Sequence, residues 1–317
     1  MIKGQKILIN SEESKKEEIA PQEGPQSLFL STKADIALYG GAAGSGKSYA
    51  LLMEPLRHFF NPKFGCVIFR RTSVQIRNEG ALWDDSTKLY SPLDAKPRQS
   101  SLSWEFSSGM RVKFAHLEYD KDVYSWQGSQ IPLICFDELT HFTKKQFFYM
   151  LSRNRSASGV KGYIRCTCNP DASSWVRGFI DWWVGDDGLI IKERSGVLRY
   201  FVNDSDTIHW EDTPEKLIKK FGSTCEPKSF TFISANIYDN KILLEKDPGY
   251  LSNLKALSKI ERARLLEGNW NILPTAGNYF QREWFPIVDT IPGNWIRVVR
   301  FWDRAATKPN ETNSDPD

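Results

Sequence analysis

A chain of 317 residues is longer than the roughly 250–300 that one hydrophobic core usually supports, so one large α/β core plus an addition is expected. Lysine and arginine number 42 against 39 acidic side chains, a formal charge of +3, so a nucleic-acid face must be a local patch and not a global field. No apolar run approaches the ~18 residues of a membrane span, and Met1 to Ala20 lacks the apolar core of a signal peptide, so a cytoplasmic protein is expected.

In chain order, residues 1–24 read as a flexible, charged lead. From Pro25 strand and helix patterns alternate, the mark of a parallel sheet with crossover helices. Short apolar runs at Ile36–Gly40, Cys66–Arg70, Leu133–Phe136 and Tyr163–Thr167 predict strands covered on both faces. Trp104–Phe106 and Arg111–Phe114 flank Ser-Ser-Gly-Met and predict a hairpin inserted between core strands. Amphipathic helices are predicted at Ser48–Phe60, Lys144–Ser152 and Ser174–Trp183. After residue 188 the texture changes. Strands are expected at Val197–Val202 and Phe230–Ile233, with one helix over Tyr250–Leu266, and residues 189–273 read as a small lid-like subdomain. Residues 274–294 read as a linker. A last strand, Trp295–Trp302, ends in Asp303, and residues 295–317 look like a second domain cut just inside its beginning. The five cysteines are Cys66, Cys135, Cys166, Cys168 and Cys225. Their irregular spacing argues against a disulfide framework, and Cys166-Thr-Cys168 has no partner pair that would suggest zinc.

The chemistry begins at Gly41-Ala42-Ala43-Gly44-Ser45-Gly46-Lys47-Ser48. This fits the phosphate-loop pattern without a mismatch, between a strand-like and a helix-like run. Glycines remove Cβ atoms so that backbone N–H groups can wrap a polyphosphate. Lys47 would reach the β/γ-phosphates and Ser48 would bind Mg²⁺. Leu133–Phe136 runs into Asp137 and Glu138. Asp137 would hold the Mg²⁺ and Glu138 would polarise the attacking water as general base. The next strand runs out through Cys166-Thr167-Cys168-Asn169-Pro170. Here Thr167 and Asn169 are candidates to sense the γ-phosphate, with a plain strand-to-loop exit the competing reading. Arg70, Arg71, Arg153 and Arg155 could neutralise developing charge. Arg153 and Arg155 are favoured, as residues near the nucleotide at a domain edge that faces a neighbouring subunit.

These motifs resemble the large subunit of a tailed-bacteriophage terminase over about Gln26 to Asp317. The resemblance rests on Gln26-Ser-Leu-Phe-Leu30, the phosphate loop, Phe69-Arg-Arg-Thr72, Trp126-Gln-Gly-Ser129 and Phe136-Asp-Glu-Leu-Thr140. It continues through Leu151-Ser-Arg-Asn-Arg-Ser156, Cys168-Asn-Pro170, Leu266-Glu-Gly-Asn-Trp270 and Phe301-Trp-Asp-Arg-Ala-Ala-Thr307. It implies a RecA-like P-loop ATPase with a mainly parallel central sheet, followed by the start of an RNase H-like nuclease. Gln26 matches the adenine-reading position, Thr167 to Pro170 the coupling motif, and Asp303 the first metal-binding carboxylate of the nuclease. The remaining nuclease carboxylates are expected beyond residue 317. Some members carry an arginine inside the phosphate loop, where this chain has Ala42 and Ala43.

The resemblance further implies ATP with Mg²⁺ for the motor, and Mg²⁺ or Mn²⁺ for the nuclease of the full-length protein. Implied partners are double-stranded DNA, a portal protein and a small terminase subunit, in a homo-oligomeric ring on the procapsid, in the cytoplasm of an infected bacterial host. The alternatives are a nucleotide-dependent switch or assembly module, or a helicase without a packaging role.

Overall fold

The computed structural model describes Ile7–Leu8, residues 18–273 and the isolated positions Gly293, Arg297 and Val299. The chain divides into two units, Met1–Pro274 and Thr275–Asp317. Apart from those three positions, the predicted linker over 274–294 and the strand Trp295–Trp302 lie outside the described residues, as do Asp303 and most of the lead.

The first unit opens with a two-residue antiparallel pair, β1 (Ile7–Leu8) with β2 (Glu18–Ile19), and then α1 (Pro25–Ser31). The parallel core follows. β3 (Ile36–Gly41) leads through the phosphate loop into α2 (Lys47–Met53), and Pro55 lies in the 3₁₀ turn Glu54–His58 that continues it. β4 (Gly65–Arg70) precedes α3 (Ser73–Arg77) and α4 (Leu82–Tyr90). β5 (Lys96–Arg98), β6 (Ser103–Glu105) and β7 (Arg111–His116) form a meander. β8 (Leu133–Phe136), α5 (Lys144–Leu151), β9 (Tyr163–Cys168) and α6 (Trp175–Phe179) complete the crossovers. The remainder is β10 (Leu198–Asp204), β11 (Thr207–Glu211), α7 (Pro214–Phe221), β12 (Lys228–Ala235), α8 (Lys241–Lys246), α9 (Gly249–Lys255) and α10 (Lys259–Leu265).

Ten strands form one sheet in the order β11-β10-β12-β3-β9-β8-β4-β7-β6-β5. From β12 to β7 every neighbouring pair is parallel, and the strands beyond them at both edges pair antiparallel. Alternate residues of the central strands enter separate cores on the two faces. Ala37, Tyr39, Ile68 and Cys135 pack on one side, and Leu38, Phe69, Ile134, Phe136 and Ile164 on the other. This two-sided burial is why the strands read as nearly unbroken apolar runs.

Two expectations change. The strands of the supposed lid, β10 and β12, belong to the central sheet, and β12 pairs in parallel with β3 in register Phe230↔Ile36. The helices α8, α9 and α10 follow β12, the last of the described strands to join that sheet. The single helix over Tyr250–Leu266 is two helices, with Ser258 capping the second through the Glu261 N–H. The predicted hairpin is present as β6 and β7, between β4 and β8 in the chain, and it extends the sheet edge outward from β4.

Candidate active site

Sheet register assembles the site. Phe69 pairs with Phe136, Phe136 with Cys166, and Tyr39 with Thr167. The residues that follow, Arg70, Asp137 and Thr167, therefore meet at the C-terminal edge, where the phosphate loop leaves β3. Open parallel sheets bind ligands at this edge.

Asp137 is fully buried. Its Oδ1 accepts hydrogen bonds from Thr167 Oγ1 at 2.5 Å and Ser48 Oγ at 3.0 Å. Its Oδ2 lies 2.7 Å from Arg70 Nε. Glu138 has φ 61°, a left-handed conformation uncommon outside glycine and one that clusters at functional sites. Both its oxygens are held by one residue: Asn169 donates from its backbone N to Oε2 and from Nδ2 to Oε1, each at 2.9 Å. The Glu138 N–H in turn donates to Thr167 Oγ1 at 3.3 Å.

Lys47 is buried, and its Nζ donates to the Gly41 and Ala42 carbonyls, to Ser45 Oγ and to Asn169 Oδ1 at 3.1 Å. Burial pushes its pKa below the usual lysine value, partly offset by the charges of Glu138 and Asp137. Asn169 thus bridges the lysine of the phosphate loop and the candidate general base. Gly41, Gly44 and Gly46 all have positive φ, as a loop of this shape requires. Gln26 on α1 is buried and donates from Nε2 to the Gly46 carbonyl at 3.1 Å.

The donor set fits a nucleotide-bound Mg²⁺. Ser48 Oγ and Asp137 Oδ1 are hard oxygen ligands within hydrogen-bond reach of each other. No cluster of three or more His, Cys, Asp or Glu side chains that could hold a metal occurs among the described residues, so the remaining ligands would be phosphate oxygens and water.

Arg153 and Arg155 are not near the nucleotide loop. The Arg153 carbonyl accepts the Ile131 N–H, Asn154 bonds the Pro132 and Tyr163 carbonyls, and Arg155 donates to the Gly128 and Ser129 carbonyls. These contacts lie at the N-terminal ends of β8 and β9. A strand of six residues, at ~3.3 Å each, puts that edge about 20 Å from the loop. Helix α5 carries the chain back across the sheet, a displacement that local pattern does not show. The arginine at the site is Arg70, whereas Arg71 is tied to Gln146 Oε1 at 2.8 Å. Sequence reading also missed Asn240 and Tyr250, which reach the loop from distant segments, and Gln22, which bonds Asn240 and Gln26 behind it. No local motif marks them.

The fold and this edge define a P-loop domain of the RecA-like class. A family model described as terminase large subunit, T4-like-virus type, N-terminal, matches residues 38–287. The chain belongs to that terminase large-subunit family. No curated protein matches the sequence. Among solved structures, the large terminase of a thermophilic bacteriophage aligns over 79% of this chain and 54% of its own, with 13% identity and TM-score 0.52. A variant ATPase domain of the Thermus phage P74-26 large terminase aligns over 78% and 94%, with 13% identity and TM-score 0.50. At this identity the likeness concerns the fold. The chain spans about half the length of that first large terminase.

Proposed function

We propose that this chain is the ATP-hydrolysing part of a motor that drives double-stranded viral DNA into a procapsid. The observation that carries the proposal is the continuous hydrogen-bonded set Ser48–Asp137–Thr167–Glu138–Asn169–Lys47 at one sheet edge. Lys47 and the loop N–H groups bind the polyphosphate, and Gln26, which the resemblance matches to the adenine-reading position, is bonded to the loop at Gly46. Mg²⁺, held by Ser48 and Asp137, would neutralise phosphate charge. The Glu138 carboxylate takes a proton from the attacking water as the water oxygen bonds the γ-phosphorus. The bond to the ADP oxygen breaks, giving ADP and phosphate. Asn169 touches both Glu138 and Lys47, so it can report γ-phosphate loss to the strand end that carries Thr167. A switch module needs no such base, so Glu138 favours the motor.

The test is direct. Lys47→Ala should abolish tight ATP binding, and Glu138→Gln should bind ATP without releasing phosphate. Wild-type turnover in Glu138→Gln removes that residue from the role. Family membership further supports a portal protein and a small terminase subunit as partners, a homo-oligomeric ring, and action in the host cytoplasm. DNA- or portal-stimulated phosphate release separates this reading from a bare switch. For the nuclease we propose Asp303 as a metal-binding carboxylate, supported by the sequence resemblance alone. In a protein that cuts plasmid with Mn²⁺, Asp303→Ala should lose cleavage and keep its ATPase.

A further inference from the structure

Three side-chain amides from two distant segments converge on the phosphate loop. Asn240, which follows β12, donates from Nδ2 to the Gly44 carbonyl at 2.7 Å. Gln26 donates to the Gly46 carbonyl at 3.1 Å. Gln22 joins the two: its Nε2 donates to Asn240 Oδ1 at 2.9 Å, and its backbone N–H donates to Gln26 Oε1 at 2.7 Å. Gln22 Oε1 also accepts the Ile242 N–H, and Asn240 Oδ1 caps α8 through the Leu243 N–H. Gly46 permits this approach, because a Cβ there would lie 3.2 Å from Gln26 Nε2 and 3.5 Å from Asn240 Nδ2.

The geometry has a directional consequence. In a trans peptide the carbonyl and the N–H point in opposite directions. Holding the Gly44 and Gly46 oxygens from one side turns the N–H groups of Ser45 and Lys47 to the other, where backbone donors of such a loop meet phosphate. The Gly46 oxygen is also fixed by the helical Ala50 N–H. For the Gly44 oxygen, Asn240 is the donor the structure provides. Preorganised donors act without reorganisation when the anion arrives.

We infer that Asn240 and Gln22 are positioning residues of the nucleotide site, forming with Gln26 an amide clamp that presets two alternate loop peptides for polyphosphate. The clamp also joins Gln22, Gln26 and Asn240 to the phosphate loop through a single hydrogen-bonded chain. The inference rests on the nucleotide-binding reading above.

The test measures displacement of a fluorescent mant-ADP by ATP and by inorganic tripolyphosphate. Asn240→Asp keeps the oxygen that caps α8 and replaces the donor with a second acceptor facing the Gly44 carbonyl. It should weaken ATP and tripolyphosphate by the same factor, about tenfold. Gln22→Ala should weaken both by about threefold, and the double variant should lose less than the product of the two. Equal loss for a ligand without a base is what a base-binding role would not produce. Loss confined to ATP would make Asn240 part of the base site and overturn the clamp, as would unchanged tripolyphosphate affinity in both variants. If Asn240→Asp does not fold by circular dichroism, Gln22→Ala carries the test, because it leaves the Asn240 bond in place. Failure of the wild type to bind mant-ADP would overturn the nucleotide reading and the clamp together. Binding that Lys47→Ala abolishes and Asn240→Asp leaves intact overturns the clamp alone.

Discussion

Thr167→Val is the substitution that asks most of the site. The side chain is fully buried, and its hydroxyl donates at 2.5 Å to Asp137 Oδ1 while accepting the Glu138 N–H. Valine keeps the shape and removes both bonds. A hydrogen bond to a carboxylate contributes about 1.5–3 kcal/mol, and an orphaned buried N–H adds about 1–2 kcal/mol. A loss of about 3–4 kcal/mol is therefore expected, less any gain from burying a methyl group. At about 2–4 °C per kcal/mol for a domain near this size, Tm should fall by about 6–16 °C. Asp137 would still be held by Ser48 and Arg70, so ATP binding should survive. Turnover should drop about tenfold or more, because Asp137 and Glu138 lose the atom that fixes them to each other. Thr167→Ser, which keeps the hydroxyl, should stay close to wild type in kcat. Differential scanning fluorimetry and phosphate release measure the two effects. Wild-type Tm and kcat in Thr167→Val would refute the reasoning and leave Thr167 an ordinary residue at a strand exit.

The loop glycines divide by what they face. Gly44 has φ +72°, and an added Cβ would lie 2.4 Å from Tyr250 Cε1, the end of a movable side chain; Gly44→Ala should weaken ATP binding, with partial recovery in a Tyr250→Ala background. At Gly41 the clash is with the Ala235 carbonyl at 2.1 Å, so Gly41→Ala should destabilise the fold with no single side-chain rescue, seen as low soluble yield and a depressed Tm. Partial burial, with help from Arg57 and Arg165, lowers the His58 pKa from 6.5 to about 4, so the unfolded chain binds more protons between these values. Its contribution to stability is present above pH 6.5 and is lost as pH falls toward 4, by about 1–2 kcal/mol after discounting for solvent exposure. Burial raises the Glu54 pKa, which gives the opposite slope, so the difference between wild type and His58→Phe in pH-dependent urea melts isolates the histidine. Arg70→Ala should lower kcat within one chain, whereas Arg153→Ala and Arg155→Ala should lower it only if they act on a neighbour. Mixing either with Glu138→Gln subunits should then restore hydrolysis.

Much of the site was legible because its pieces are local. Gly41 to Ser48 lies between a strand and a helix, and Asp137 and Glu138 end an apolar run. In each case the residue types and their near neighbours already constrain the backbone. What pattern could not supply was which strand lies beside which. Asn169 was a candidate sensor beside the competing reading of a turn-initiating Asn-Pro, and its bonds to both Lys47 and Glu138 exist only because β9 lies between β3 and β8. Arg153 and Arg155 misled for the same reason. Few residues separate them from Asp137 and Glu138 in sequence, but α5 takes them to the far edge of the sheet.

The sequence by itself therefore determined the phosphate loop, the paired carboxylates and the family, since short-range spacing and residue chemistry suffice for these. Only the tertiary structure decided that β12 lies beside β3, that Arg70 and not Arg153 or Arg155 pairs with Asp137, and that Asn240 holds the loop with Gln22 bonded to it from behind. These contacts join residues far apart in the chain. They follow from parallel strand order and register, which long-range burial selects and no local period encodes.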